Sequence, residues 1–186
     1  MGRQYDSLTD EDIEFIGQQR VFFIASASGR EVNLSPKGYD CLRVIDSNSV
    51  LFLDYPGSGD RTMRDISARG EVTLMFTAFS GKPSILRLFC KGRLIEKSDT
   101  KFSELTLHFT GCDVQLIRRF LIFDIYKVER SCGKSVPFMQ YMGERTDLID
   151  ATSKLRNAGT LSKFIEDHKT PPVLKSEEIE RLRHKG

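Results

Sequence analysis

The sequence predicts a mainly β, antiparallel domain followed by a helical tail. Three observations predict it. Apolar runs rich in Val, Ile, Leu and Phe recur at close spacing up to about residue 130. Turn-forming clusters, not long helical patterns, separate them. Beyond about residue 131, β-branched residues thin out while charged residues and helix formers rise. Strands so closely spaced close into a barrel or stack as a sandwich. The expected division is residues 1–130 as the β domain and 131–186 as a helical C-terminal extension.

The elements follow in order. Thr9 is placed to cap a short first helix, Asp10, Glu11 and Asp12 suit its positive end, and Leu8 can staple onto Ile13. The apolar face of that helix is Ile13, Phe15 and Ile16. Val21 to Ala27 reads as a buried strand that ends at the turn Ser28-Gly29-Arg30, and Glu31 to Ser35 returns from it. Pro36 and Gly38 break the run, after which Cys41 to Asp46 and Ser49 to Asp54 form two strands joined at Ser47-Asn48. Met63 to Arg69 suits a turn or two of helix ended by Gly70.

Val72 to Phe79 and Ser84 to Lys97 make a long hairpin about Ser80-Gly81-Lys82-Pro83. Phe102, Leu105 and Phe109 match a helical stripe, and Leu121 to Val128 returns to a strand pattern. In the tail, Asp147 to Ala158 and Leu161 to His168 look helical. Thr170-Pro171-Pro172 interrupts, and Ser176-Glu177-Glu178 can start a last helix through Arg183.

Composition narrows the function. With 39% apolar residues the 186-residue chain can bury a full core. A formal charge of +2, from 28 basic and 26 acidic residues, supplies no field that points to nucleic acid or an anionic membrane. Cys41, Cys90, Cys112 and Cys132 lie far apart without a CxxC pair, which disfavours zinc and suits free thiols in a reducing compartment. The N-terminus lacks the apolar core of a signal peptide and no stretch approaches the length of a membrane span, so a cytoplasmic location is expected.

Two basic, turn-rich segments stand at the ends of strand-like runs: Asn33-Leu34-Ser35-Pro36-Lys37-Gly38 and Pro56-Gly57-Ser58-Gly59-Asp60-Arg61-Thr62. Hydroxyls, cationic ends and glycine-freed amides at a sheet edge suit a phosphate monoester. Strand alternation puts Asn33 and Ser35 on one face, and Lys37 adds charge. The same segments also read as solvated turns, with Ser58 or Asp60 capping the following helix. Asp60 opposes an anion and is better placed to cap that helix or pair with a base.

The Gly57-x-Gly59-x-x-Thr62 pattern fails as a dinucleotide fingerprint, because the third glycine is missing and hairpins stand where a βαβ unit is required. Arg87, inside Ile85-Leu86-Arg87-Leu88-Phe89, needs an anionic partner, an ion pair or an outward, solvated position. Phe76 and Phe79 serve as a ring pocket or as ordinary core. No nucleophile or acid–base dyad stands out, so redox chemistry would be carried by a cofactor.

Taken in order, Phe22-Phe23-Ile24-Ala25-Ser26-Ala27, the two turn-rich segments, Leu74-Met75-Phe76-Thr77-Ala78-Phe79 and Leu86-Arg87-Leu88 resemble the pyridoxamine 5′-phosphate oxidase-related, FMN-binding split-barrel family. The match covers about residues 8 to 130 and is nearest the branch with an Asn-x-Ser-Pro-Lys-Gly signature. The resemblance implies a six-stranded antiparallel split barrel that forms a homodimer with FMN in a groove at the subunit interface. It implies that Asn33, Ser35, Lys37 and Gly38 meet the flavin or its ribityl phosphate, and that Ser58, Arg61 and Thr62 hold the phosphate. Met75, Phe76 and Arg87 carry over as further cofactor contacts.

The chain has no tryptophan, and its tail lacks the Arg- and Trp-containing segment of the true pyridoxamine phosphate oxidases. Vitamin B6 oxidation is therefore not implied. The expectation is an FMN-dependent oxidoreductase. The alternatives are a flavin carrier or sensor without turnover, and a relative holding a deazaflavin coenzyme or haem in place of FMN.

Overall fold

The computed structural model describes residues 2–29, 31–57 and 59–170. Its strands are β1 (Arg3–Tyr5), β2 (Phe22–Ala27), β3 (Val32–Lys37), β4 (Leu42–Asp46), β5 (Ser49–Asp54), β6 (Glu71–Thr77), β7 (Ile85–Ile95) and β8 (Arg119–Ser131). The helices are α1 (Asp10–Gln18), α2 (Arg61–Ser67), α3 (Phe102–Thr106), α4 (Asp147–Asn157) and α5 (Leu161–Asp167). The strands form one antiparallel sheet in the order β3-β2-β6-β7-β8-β5-β4, with β1 added to β8. No helix among the described residues is long and apolar enough to cross a membrane.

Period-two alternation decides which side chains fill the sheet's interior. Phe22, Ile24 and Ser26 of β2 and Val72, Leu74 and Phe76 of β6 are buried, while the residues between them are partly open. Phe22 stacks on Phe76 at 5.5 Å and meets the edge of Phe52 at 5.9 Å. β2 and β5 are not paired, so the Phe22–Phe52 contact records the sheet curling over its own core. Burial of each such ring contributes about 1.5–3 kcal/mol. α3 is short, yet Phe102, and Phe109 beyond its end, both pack on Phe120, with ring centroids 5.0 and 5.7 Å away.

The strand count is eight where six were expected. β1 is only three residues long and joins by pairing Arg3–Tyr5 with Val128–Arg130, a tertiary contact with no local apolar pattern to announce it. β3 runs through Pro36 to Lys37, where the proline was expected to end it. It is an edge strand, and an edge tolerates the missing N–H. β8 begins at Arg119, earlier than its apolar run suggests, because its first charges find partners.

α1 starts with a full capping box: the Asp12 N–H donates to Thr9 Oγ1, and the Thr9 N–H donates to Asp12 Oδ2 at 2.9 Å. Ile13, expected on its apolar face, is exposed. α2 ends before Gly70, and the left-handed residue there is Arg69, at φ 57°. Gly70 is required for another reason: a Cβ would stand 2.2 Å from the Ala27 carbonyl oxygen. A Cβ on Gly92 would likewise meet Ile66 at 2.6 Å. These two close approaches seat α2 against β2 and β7.

Candidate functional site

The two turn-rich segments meet at one cavity of about 440 Å³. β3 brings Asn33, Ser35, Pro36 and Lys37 to it, and the connection from β5 to α2 brings Gly57, Gly59, Asp60, Arg61 and Thr62. Phe52, Asp54, Tyr55, Arg118, Leu121 and, from α4, Leu148 complete the lining. The volume is that of a small-molecule site, and the lining is mainly polar and charged, with Phe52, Leu121 and Leu148 as its apolar part.

β3 supplies its face through alternation. Asn33 is buried and Ser35 and Lys37 are half-buried, while Val32 and Leu34 point to solvent. The Asn33 Nδ2 group donates to Ser26 Oγ at 3.2 Å and to Thr62 Oγ1 at 3.1 Å. Ser35 Oγ donates to Asn33 Oδ1 at 3.2 Å. Behind Ser26 lies Asp65, fully buried, which accepts from Ser26 Oγ at 2.7 Å, from Ser28 Oγ at 2.6 Å and from the Arg64 guanidinium. Burial alone would raise the Asp65 pKa, but the bonds from Ser28, Ser26 and Arg64 outweigh it and hold the carboxyl below its ordinary range.

A second polar cluster lies under the other wall. Arg118 donates to Asp54 Oδ2 at 2.9 Å and stands 3.5 Å from Asp60, while Arg119 bonds Asp60 and reaches Glu96 at 2.9 Å. Asp54, Asp60, Arg118 and Arg119 are all buried. Their register explains it: Asp54 ends β5 directly opposite Arg119 at the start of β8, and the Arg118 N–H donates to the Asp54 carbonyl at 2.8 Å. Asp60 makes no cap bond to α2 and turns to the arginines. Burial pushes its carboxyl up, against the pull of Arg118 and Arg119.

The cavity's remaining charge is cationic. Arg61 pairs with Glu31, which also binds Arg64. Lys37 has no carboxylate within ion-pair distance among the described residues, and its ammonium lies 5.8 Å from the centre of the Phe52 ring. Burial pushes the Tyr55 phenol up to about 12, so it stays an O–H donor at neutral pH. Beside it, Tyr39 adopts φ 63°, so the left-handed residue of this turn is not Gly38. The Tyr39 N–H donates to Glu144 of the tail at 3.4 Å.

Of the residues singled out in the sequence, Asn33, Ser35, Lys37, Arg61 and Thr62 line the cavity. Gly38 lies just past the end of β3, outside the lining and beside Glu144. Ser58 lies outside the described residues. Met75 and Arg87 are cross-strand neighbours on the other face of β6 and β7, where Arg87 donates to Glu129 at 3.1 Å and Ser131 at 3.2 Å. Phe76 occupies the barrel core, because alternation along β6 turns it inward with Val72 and Leu74.

Sequence reasoning missed Asp54, Tyr55, Asp65, Arg118, Leu121 and Leu148. A signal existed for two of them, Asp54 and Arg118. Asp54 and the pair Arg118-Arg119 sit flush against apolar strand runs, where a charge must find an opposite partner.

No protein-family model matches the chain. Over 139 residues it is 35% identical to the pyridoxamine 5′-phosphate oxidase family protein ustO of Aspergillus flavus, a match that covers 73% of this chain and 56% of that protein. The chain thus spans little more than half the length of this curated relative. Among solved structures, the Group A Streptococcus protein HupZ superposes with a TM-score of 0.53 at 15% identity, covering 72% of this chain and 99% of that one. A pyridoxamine 5′-phosphate oxidase-like protein from Lactobacillus delbrueckii gives 0.51 at 15% identity, covering 67% and 98%. The structural likeness shows the barrel fold, and the sequence match makes the chain similar to a member of the pyridoxamine 5′-phosphate oxidase family.

Proposed function

We propose that the cavity binds FMN and that the protein is an FMN-dependent oxidoreductase of the Asn-x-Ser-Pro-Lys-Gly branch. One observation carries the reading: β3 and the β5–α2 connection, separate in sequence, converge on a single cavity whose lining joins hydroxyls and cations with Phe52, Tyr55, Leu121 and Leu148. That donor set fits a phosphorylated ligand with a flat apolar body. Lys37, Arg61 and Thr62 would hold the phosphate, Ser35 would meet the ribityl chain, and Asn33 would brace both. Gly38 and Ser58 belong to the same segments.

When bound, FMN would supply the reversible transfer of one or two electrons. The protein's own part is to fix the anion, exclude water with the apolar wall and keep Asp54 and Asp60 neutralised by Arg118 and Arg119 so that they do not repel it.

Met75 and Arg87 stand outside this cavity, on the half-buried outer sheet face that also holds Phe23. They would reach a flavin only across a homodimer interface, and a second copy of the chain is the partner proposed for that face. The test is direct. Purified chain should be yellow or become so on FMN titration, with one FMN per chain, and should sediment as a dimer. NADH or NADPH should then bleach the flavin band. A colourless chain that ignores FMN would end the reading, and a bound flavin that neither nicotinamide reduces would leave a carrier.

A further inference from the structure

Hydrogen-bond direction in the cavity floor is not free to vary, and it runs back to a residue that never meets the cavity. Asp65 is fully buried and, as a carboxylate, only accepts. Ser26 has one hydroxyl proton, and Asp65 takes it at 2.7 Å. Ser26 Oγ therefore faces Asn33 with lone pairs alone, so the amide must present its NH2 to Ser26 and its oxygen to Ser35. The flipped amide would set oxygen against oxygen in a buried site, a loss comparable to an unmade hydrogen bond.

Two consequences reach the cavity. Thr62 Oγ1 already accepts from Asn33, so its own proton is left to donate, and no acceptor for it occurs among the described residues. Ser35 has spent its proton on Asn33 Oδ1 and turns lone pairs to the cavity. The floor thus presents a donor at Thr62, beside the Arg61 cation, and an acceptor at Ser35.

We infer that Asp65 is a positioning residue that, through Ser26, fixes the Asn33 amide and so sets the cavity to take an anionic oxygen at Thr62 and a ligand hydroxyl or N–H at Ser35. A phosphorylated polyol meets that pattern with its phosphate at Thr62 and a hydroxyl at Ser35. The ligand's identity as FMN rests on the function proposed above, whereas the wiring rests on the hydrogen bonds alone.

The experiment compares FMN with riboflavin, which lacks the phosphate, by fluorescence titration of the wild-type chain, Thr62→Val, Ser35→Ala and Ser26→Ala. Thr62→Val should weaken FMN about tenfold and leave riboflavin unchanged, since one hydrogen bond to a charged group is lost. Ser35→Ala should weaken both flavins equally. Ser26→Ala, which touches no ligand, should reduce the FMN-to-riboflavin preference as Thr62→Val does, and the double variant should add little to either single change. Ser26→Ala is preferred to Asp65→Asn because the latter also disturbs the bonds from Ser28 and Arg64.

A second readout needs no ligand. In 15N NMR the Asn33 side-chain amide should show both protons protected from exchange in the wild-type chain, and lose that protection in Ser26→Ala. An unchanged preference in Ser26→Ala, an equal loss for both flavins, or an unprotected Asn33 amide in the wild type would each overturn the inference. If the wild-type chain binds neither flavin, the FMN reading falls and the amide spectrum alone decides the wiring.

Discussion

Two buried carboxylates, Asp60 just before α2 and Asp65 within it, are treated in opposite ways. Asp65 is surrounded by small neutral donors, Ser26 and Ser28, and by a half-open Arg64, and its pKa is held down. Asp60 shares its pocket with a second carboxylate and two buried guanidiniums, and its pKa is pushed up. The lesson is that hydrogen bonds from groups costing little to bury keep a charge comfortable, while burying charge against charge leaves desolvation uncompensated. The first cluster is wired to Asn33 and the cavity. The second clamps the β5–α2 connection onto the start of β8.

Breaking the clamp gives the largest expected effect. Asp60→Ala takes away the carboxylate that Arg118 and Arg119 share and should cost about 3–5 kcal/mol in urea unfolding. Asp65→Asn should cost less, about 1–3 kcal/mol, because its serines can reorient toward an amide. Equal losses would erase the distinction between the clusters.

Ligand affinity separates them on another axis. Lys37→Ala should weaken FMN by about 1.5–3 kcal/mol, as one charge-assisted bond is lost, with Arg61→Ala at the low end because Arg61 is already shared with Glu31. If both variants bound FMN like the wild type, the phosphate would lie elsewhere.

The smallest effect is the sign of the pH dependence. A lowered carboxylate stabilises the fold above its unfolded value, ordinarily 3.8, and that contribution disappears as pH falls through the folded value. The stability gap between wild type and Asp65→Asn should therefore narrow on acidification below about 3.8. For Asp60 the folded value lies above 3.8, so stability is lost as pH rises from there through the folded value. Acidification from neutral pH should make the wild type gain on Asp60→Ala. Parallel slopes in urea titrations across this range would sink the comparison.

Much of the barrel was legible because its signals are local. The Phe22–Ala27 run, the β4–β5 hairpin and the β6–β7 hairpin each announce themselves by β-formers ending in turn residues. β1 was not legible, since three residues without an apolar pattern become a strand only by finding β8. Pro36 misled for a related reason: whether a proline ends a strand depends on which edge faces a neighbour. In the site, residues with phosphate-type chemistry could be named in advance, but Asp65 could not, because its role appears only once Ser26 and Asn33 stand on neighbouring strands. Leu148 was equally hidden, reaching the cavity from a helix more than a hundred residues away from Asn33.

By itself, the sequence determined most of the strands, their inward faces and the two segments that carry hydroxyls and cations. Those follow from backbone preference and period-two alternation, which act over a few residues. Tertiary structure alone decided that the two segments share a cavity, that Arg87 turns to Glu129, that Asp60 turns from the helix to Arg119, and that Asp65 governs an amide two strands away. Partner choice among buried polar groups is settled by which donors and acceptors lose water together, and that depends on the closed sheet.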